Sequence, residues 1–133
     1  MAKIVLTNAK VTIGGTDVSD CVTAVTVNTS SADVETTTFG AGGVTRVGGL
    51  RDDSMTIDFI NDFSYVEGLV YPLIGSTTSV VVKPNGTAVG TANPSYTGTV
   101  LVTEWTPVAG AVGEMSTASI TWPVSGTVTR ATS

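Results

Sequence analysis

The residues best suited to chemistry are four aspartates, Asp52, Asp53, Asp58 and Asp62, crowded into one short stretch. Paired carboxylates can divide general acid and base roles, and alternating oxygen ligands can hold calcium. The spacing fits neither. A calcium loop wants acidic or amide ligands at alternate positions around a central glycine. Strand alternation would also send Asp53 and Asp58 to opposite faces, away from any common substrate. These aspartates are therefore expected in turns or on solvated faces. The chain has no histidine, which removes Ser-His-Asp and Cys-His catalysis and ordinary zinc sites. Cys21 is the single cysteine, so no internal disulfide can form, and it reads as a small apolar core residue. Neither a reaction nor a metal or cofactor is expected.

A second candidate is the segment 39–50, with five glycines. Phosphate-cradling loops run from a strand into a helix and usually carry a Lys-Ser/Thr pair. No such helix or pair follows here. The segment reads instead as a long flexible loop, of the length that is usually functional or disordered. Its neighbouring cations, Arg46 and Arg51, would either meet acidic groups of another molecule or stay solvated. Trp105 and Trp122 are expected to cover a core, not to stack a ligand.

Composition narrows the function classes. Charged residues are 13% of the chain, against about 25% in ordinary soluble domains. Threonine and serine fill the gap, and they wet a surface without making copies repel one another. That favours self-association. Net charge is −5, with only six Lys and Arg, so gripping nucleic acid through its phosphates is not expected. Mean hydropathy is +0.33, yet no apolar run approaches the roughly 20 residues of a membrane span. The N-terminus lacks the pattern of a secretory signal, so synthesis in a cytoplasm is expected.

Two-residue alternation between turn signals predicts antiparallel strands over 3–13, 22–28, 33–38, 54–61, 78–84, 96–105 and 115–124. Residues 22–38 would form one long bent strand if the bend at Ser30-Ser31 is mild. Thr23, Val25 and Val27 would share a face, as would Met55, Ile57 and Phe59. The Ser64/Glu67 spacing suggests a capping box. Val66, Leu69, Val70 and Leu73 then make one helical stripe, over about residues 64–75. The tail after 124 would be loose or a short edge strand. The expected fold is all-β: one antiparallel β-sandwich, barrel-like, over residues 1–133, with a single short flanking α-helix.

At this level the order of motifs becomes informative. Asp33-Val34-Glu35-Thr36-Thr37-Thr38-Phe39-Gly40 leads through the glycine-rich segment to Arg46-Val47-Gly48-Gly49-Leu50-Arg51-Asp52. A Met-Thr-Ile-Asp-Phe strand and Tyr71-Pro72-Leu73-Ile74-Gly75 follow. Asn93-Pro94-Ser95-Tyr96-Thr97-Gly98 and Ile120-Thr121-Trp122-Pro123-Val124-Ser125-Gly126 close the series. Over residues 10–130 this order resembles the major tail, or tail tube, proteins of long non-contractile-tailed bacteriophages. The resemblance implies a structural virion protein, made in the host cytoplasm, whose hexameric rings stack into a hollow tube for genome ejection. An inner sheet from each subunit would join its neighbours in a continuous barrel. DNA would pass without specific binding. Besides itself, its partners would be the tape measure, tail terminator and distal tail proteins.

A long loop between two early strands would reach the adjacent ring. The matching residues here are Phe39, Gly40, Gly42, Gly43, Arg46, Gly48, Gly49 and Arg51. Asp33, Glu35, Thr56, Asp58 and Glu104 are the candidates for the lumen, where an acidic lining would keep phosphates from adhering. The alternative reading is an immunoglobulin-like module for decoration or binding on a virion or cell surface.

Overall fold

Valine, isoleucine and threonine at alternate positions build most of this chain into strands. The structure is a computed structural model that describes residues 5–132. In chain order the strands are β1 (Lys10–Ile13), β2 (Thr16–Asp17), β3 (Val22–Asn28), β4 (Ser31–Glu35) and β5 (Arg46–Arg51). After β6 (Ser54–Ile60) and the helix α1 (Val66–Val70) come β7 (Thr77–Lys83), β8 (Ser95–Leu101), β9 (Thr117–Pro123) and β10 (Thr129–Ala131). They form a five-stranded sheet in the order β10-β8-β7-β1-β2 and a three-stranded sheet in the order β3-β6-β9. A separate hairpin joins β4 to β5. All strand pairings within these sheets are antiparallel. The expected all-β class with one short helix is what the chain adopts.

The core lies between the two larger sheets. Met55, Ile57 and Phe59 of β6 and Ile120 and Trp122 of β9 meet Val11, Ile13, Val80, Val82 and Val100 of the facing sheet. Each such side chain contributes about 1.5–3 kcal/mol by leaving water. Phe59 presents an edge to Trp105, with ring centroids 5.2 Å apart, and lies 6.2 Å from Trp122. The Trp122 indole N–H donates to the Glu104 carbonyl at 2.9 Å, satisfying its one polar atom. Both tryptophans and Cys21 are buried, as expected. Beyond β9 the chain crosses between sheets, where Val124 bridges Val100 and the Ser125 N–H donates to the Thr99 carbonyl at 2.7 Å. This crossing closes one side of the sandwich and gives it a barrel-like corner.

Several expected boundaries move, each for a local reason. Of the expected strand 3–13, residues 3 and 4 lie outside the described residues, and the strand itself starts at Lys10. Lys10 pairs with Lys83, so the next pair outward would fall on Pro84, which has no N–H to donate. Gly14 and Gly15, with φ of +58° and +87°, make the tight turn of a hairpin, and Thr16-Asp17 forms β2 instead of ending the structure. A bulge between Val22 and Ala24 shifts the phase of β3. Val22, Val25 and Val27 therefore pack on the core, and Thr23 is exposed.

The bend after Asn28 is a true break, since among the described residues β4 pairs only with β5. The segment 39–50 is not loop throughout, because β5 occupies its second half. The helix is shorter than expected. Pro72 follows α1 in a 3-10 turn, Tyr71–Leu73, and a second such turn spans Ser19–Cys21. Ser64 does not cap α1. Instead Asp62 accepts from both the Ser64 N–H, at 3.0 Å, and its hydroxyl, at 2.6 Å. The apolar stripe is as expected, with Val66 and Val70 buried and Leu69 and Leu73 packed against the core.

Burial separates two phenylalanines sharply. Phe59→Ala should cost about 3–5 kcal/mol, whereas Phe39→Ala, on a fully exposed side chain, should change stability by less than about 0.5 kcal/mol. Urea unfolding of the two variants against the parent measures both.

Candidate assembly surface

β4 and β5 leave the sandwich as an arm. Every residue in both strands is exposed, so neither face rests on the core. Its apolar side chains meet water, with Leu50 at 87% exposure and Val34, Val44 and Val47 about half exposed. The arm holds its shape by local bonds. The Thr36 N–H donates to the Thr45 carbonyl at 2.8 Å, the two threonine hydroxyls share a bond of 2.9 Å, and the Thr45 N–H donates to the Thr37 hydroxyl at 2.9 Å. Asp33 and Arg46 form an ion pair across it at 3.4 Å.

A register shift in β5 opposite Ala32 adds twist and aims the arm. Gly49 fits closely there: a Cβ would stand 3.0 Å from both the Ala32 Cβ and the Val34 Cγ2, so β4 would have to give way. An isolated two-stranded hairpin is marginal in water, and this one displays apolar area to match.

The root of the arm is organised by Asp53, whose side chain is fully buried. One carboxylate oxygen accepts from the Ser30 N–H at 3.2 Å. The other accepts from Arg51 at 2.9 Å and from the Val128 N–H at 2.8 Å. The Asp53 carbonyl takes the Val124 N–H at 2.9 Å. Ser30 and Asp52 close the root, through N–H to carbonyl at 2.8 Å and hydroxyl to carbonyl at 2.7 Å. The Val128 N–H above all, then that of Ser30 and the Arg51 charge, hold the Asp53 carboxyl below its ordinary value against the opposing effect of burial.

Here one sequence expectation fails: Asp53 is buried, not solvated. Arg51, itself partly exposed, forms an ion pair with it within the chain. Arg46 likewise pairs within the arm. A signal for Asp53 did exist, because it stands in phase with Met55, Ile57 and Phe59 and so belongs to the core face of its strand.

No family model matches the chain, and no curated protein matches it significantly. Its function must therefore be read from the surfaces themselves.

The outer face of the three-stranded sheet is the second of these surfaces. Thr56 and Asp58 of β6 stand beside Thr121 and Ser119 of β9. The Thr56 and Thr121 hydroxyls bond at 2.9 Å, and the Ser119 hydroxyl donates to Asp58 at 2.6 Å. Ala24 and Thr26 of β3 continue the row. All are short side chains, and one carries charge. The sheet order leaves the outer edges of β3 and β9 without ladder partners among the described residues. Beside β3 an apolar cleft of about 130 Å³ is lined by Leu6, Val25, Val27, Val82 and Tyr96.

The residues singled out in the sequence distribute over these surfaces unevenly. Phe39, Gly40, Gly42 and Gly43 form the tip of the arm, and Arg46, Gly48, Gly49 and Arg51 lie in β5. Thr56 and Asp58 share the hydroxyl-rich face. Asp33 and Glu35 do not join them, since they belong to the arm. Glu104 is exposed on the segment after β8, between the buried Val102 and Trp105. Among the described residues no cluster of His, Cys, Asp or Glu is placed to hold a metal, and no helix is long and apolar enough to cross a membrane.

Two carboxylates predict the response to acid. The Ser19 hydroxyl, then Lys10 and the Ser19 N–H, lower Asp17 to about 2. Because both folded values lie below the ordinary 3.8, each contribution is complete above that pH and is lost as pH falls through the folded value. Acidification from pH 6 should first leave the Ser30 and Val128 amide signals unchanged, then shift them together below pH 3.8, as followed by two-dimensional NMR.

Proposed function

We propose that this chain is a structural subunit of a phage-type tail tube, which assembles into rings and stacks them as a conduit for genome ejection. The observation that carries the reading is the arm. A hairpin exposed on both faces, with apolar residues along it, gains most of its stability only when another molecule covers it. Scarce charge elsewhere on the chain lets copies approach closely.

The three-stranded sheet supports the ring. Its free β3 and β9 edges can continue from copy to copy, a head-to-tail contact that closes when the rotation suits. A hexameric ring, as the resemblance implies, would combine about eighteen strands, a number at which closed barrels leave an open aqueous channel. The short Thr, Ser and Asp side chains of the outer face would narrow that channel little. Asp58 would supply one negative charge per subunit, repelling phosphates and offering them no cationic grip. Asp33 and Glu35 belong to the inter-ring arm in this scheme, not to the lumen.

The role is structural, with no catalysis and no cofactor. The partners are further copies and, by resemblance, the tape measure, tail terminator and distal tail proteins, in a virion tail built from subunits made in the host cytoplasm.

Negative-stain electron microscopy of the concentrated protein should reveal rings or hollow tubes. Replacing residues 37–44 with a two-residue Asn-Gly turn should preserve the circular dichroism of the sandwich while stopping tube growth. Gly49→Val should act in the same direction, by forcing β4 and β5 apart. Monodisperse monomer at every salt and protein concentration would reject the assembly and favour a decoration module.

A further inference from the structure

We propose that Asp53 is the positioning residue of the arm, coupling its posture to the docking of the C-terminal strand β10 so that the two order and loosen together. The inference deepens the assembly reading and rests on it for its consequence, but the coupling itself is a property of the single chain.

The geometry is that of a shared anchor. The arm leaves the sandwich after Ser30 and returns through Arg51, and both ends bond to the Asp53 carboxylate. The remaining contact of that carboxylate is the Val128 N–H, on the segment that delivers β10. The Val128 side chain is itself buried in the core cluster. β10 has only three residues, pairing Thr129 with Thr97, Arg130 with Tyr96 and Ala131 with Ser95. So short a strand depends on the anchor that precedes it.

A fully buried carboxylate must keep its donors, because water cannot replace them. Each donor is therefore held more firmly when the other two are in place. If the arm swings away, Asp53 loses Ser30 and Arg51 and its hold on Val128 weakens. If the tail detaches, the arm loses the same support. Undocked β10 uncovers the edge of β8, a strand that could then pair with another chain. An arm seized by a neighbouring copy would keep that edge covered, and a free arm would leave it less protected. Linkage makes the effect reciprocal.

Hydrogen exchange on the full-length chain, at a dilution where it is monomeric, tests this directly. Asp53→Asn keeps the shape of the side chain but removes its charge and one acceptor. Exchange should rise more than about tenfold in both 30–51 and 125–131, with 55–59 and 79–82 unchanged. Val128→Pro deletes the Val128 N–H donor in the tail, while also altering a buried side chain, and should loosen the arm through Asp53. Loosening of only one segment in Asp53→Asn, or an unchanged arm in Val128→Pro, would overturn the coupling. If Asp53→Asn unfolds entirely, Val128→Pro decides alone. If both unfold entirely, Asp53 is a general core residue and the proposal fails. Tube growth is scored separately: coupling without tubes in the parent protein would reject the assembly reading and leave the coupling intact.

Discussion

The structure depends on the one-sided burial of β6. This strand is the middle of its sheet, and Met55, Ile57 and Phe59 are fully enclosed on one face while Thr56 and Asp58 stand on the other. A slip of one residue would exchange the faces and bury a carboxylate among valines. Register is thus specified strongly here. It also fixes Asp53, one step outside the strand and on the same side as the apolar set. A carboxylate carried inside by its neighbours must find donors, and it finds them at the root of the arm and in the tail.

The arm follows the opposite logic. β4 and β5 have no buried face, so they are defined by cross-strand bonds, the twist at Gly49, the root bonds to Asp53 and the exposed Asp33–Arg46 pair. A surface pair of that kind is worth about 1 kcal/mol or less. The molecule therefore combines a sandwich with a well-specified register and a weakly specified extension, joined at one buried group. In the proposed assembly the sandwich would fold alone and the arm would complete its contacts on a neighbouring copy.

Scarcity of charge gains meaning from where the charges went. Arg46 and Arg51 both form ion pairs within the chain, with Asp33 and Asp53. Asp53 is spent on the fold. What faces outward on the three-stranded sheet is a row of hydroxyls with Asp58 among them. In the proposed assembly, attraction between copies would come from strand edges and apolar arm residues, contacts that salt weakens little.

The all-β class, the faces of β6, the stripe of α1 and the burial of Trp105 and Trp122 were legible in the sequence, because apolar period reports burial wherever one face meets a core. β5 has no buried face and carries Gly48-Gly49, so it showed no alternation and read as loop despite its pairing with β4. Local spacing also misled at Ser64, since the capping pattern says nothing of Asp62 competing for the same hydroxyl. The sequence by itself determined the apolar face of β6 through alternation, and it put Asp53 in phase with that face, although a carboxylate there reads as solvated. Only the tertiary structure decided what Asp53 would hold, because Ser30 and Val128, distant along the chain, reach it only after the sheets have packed.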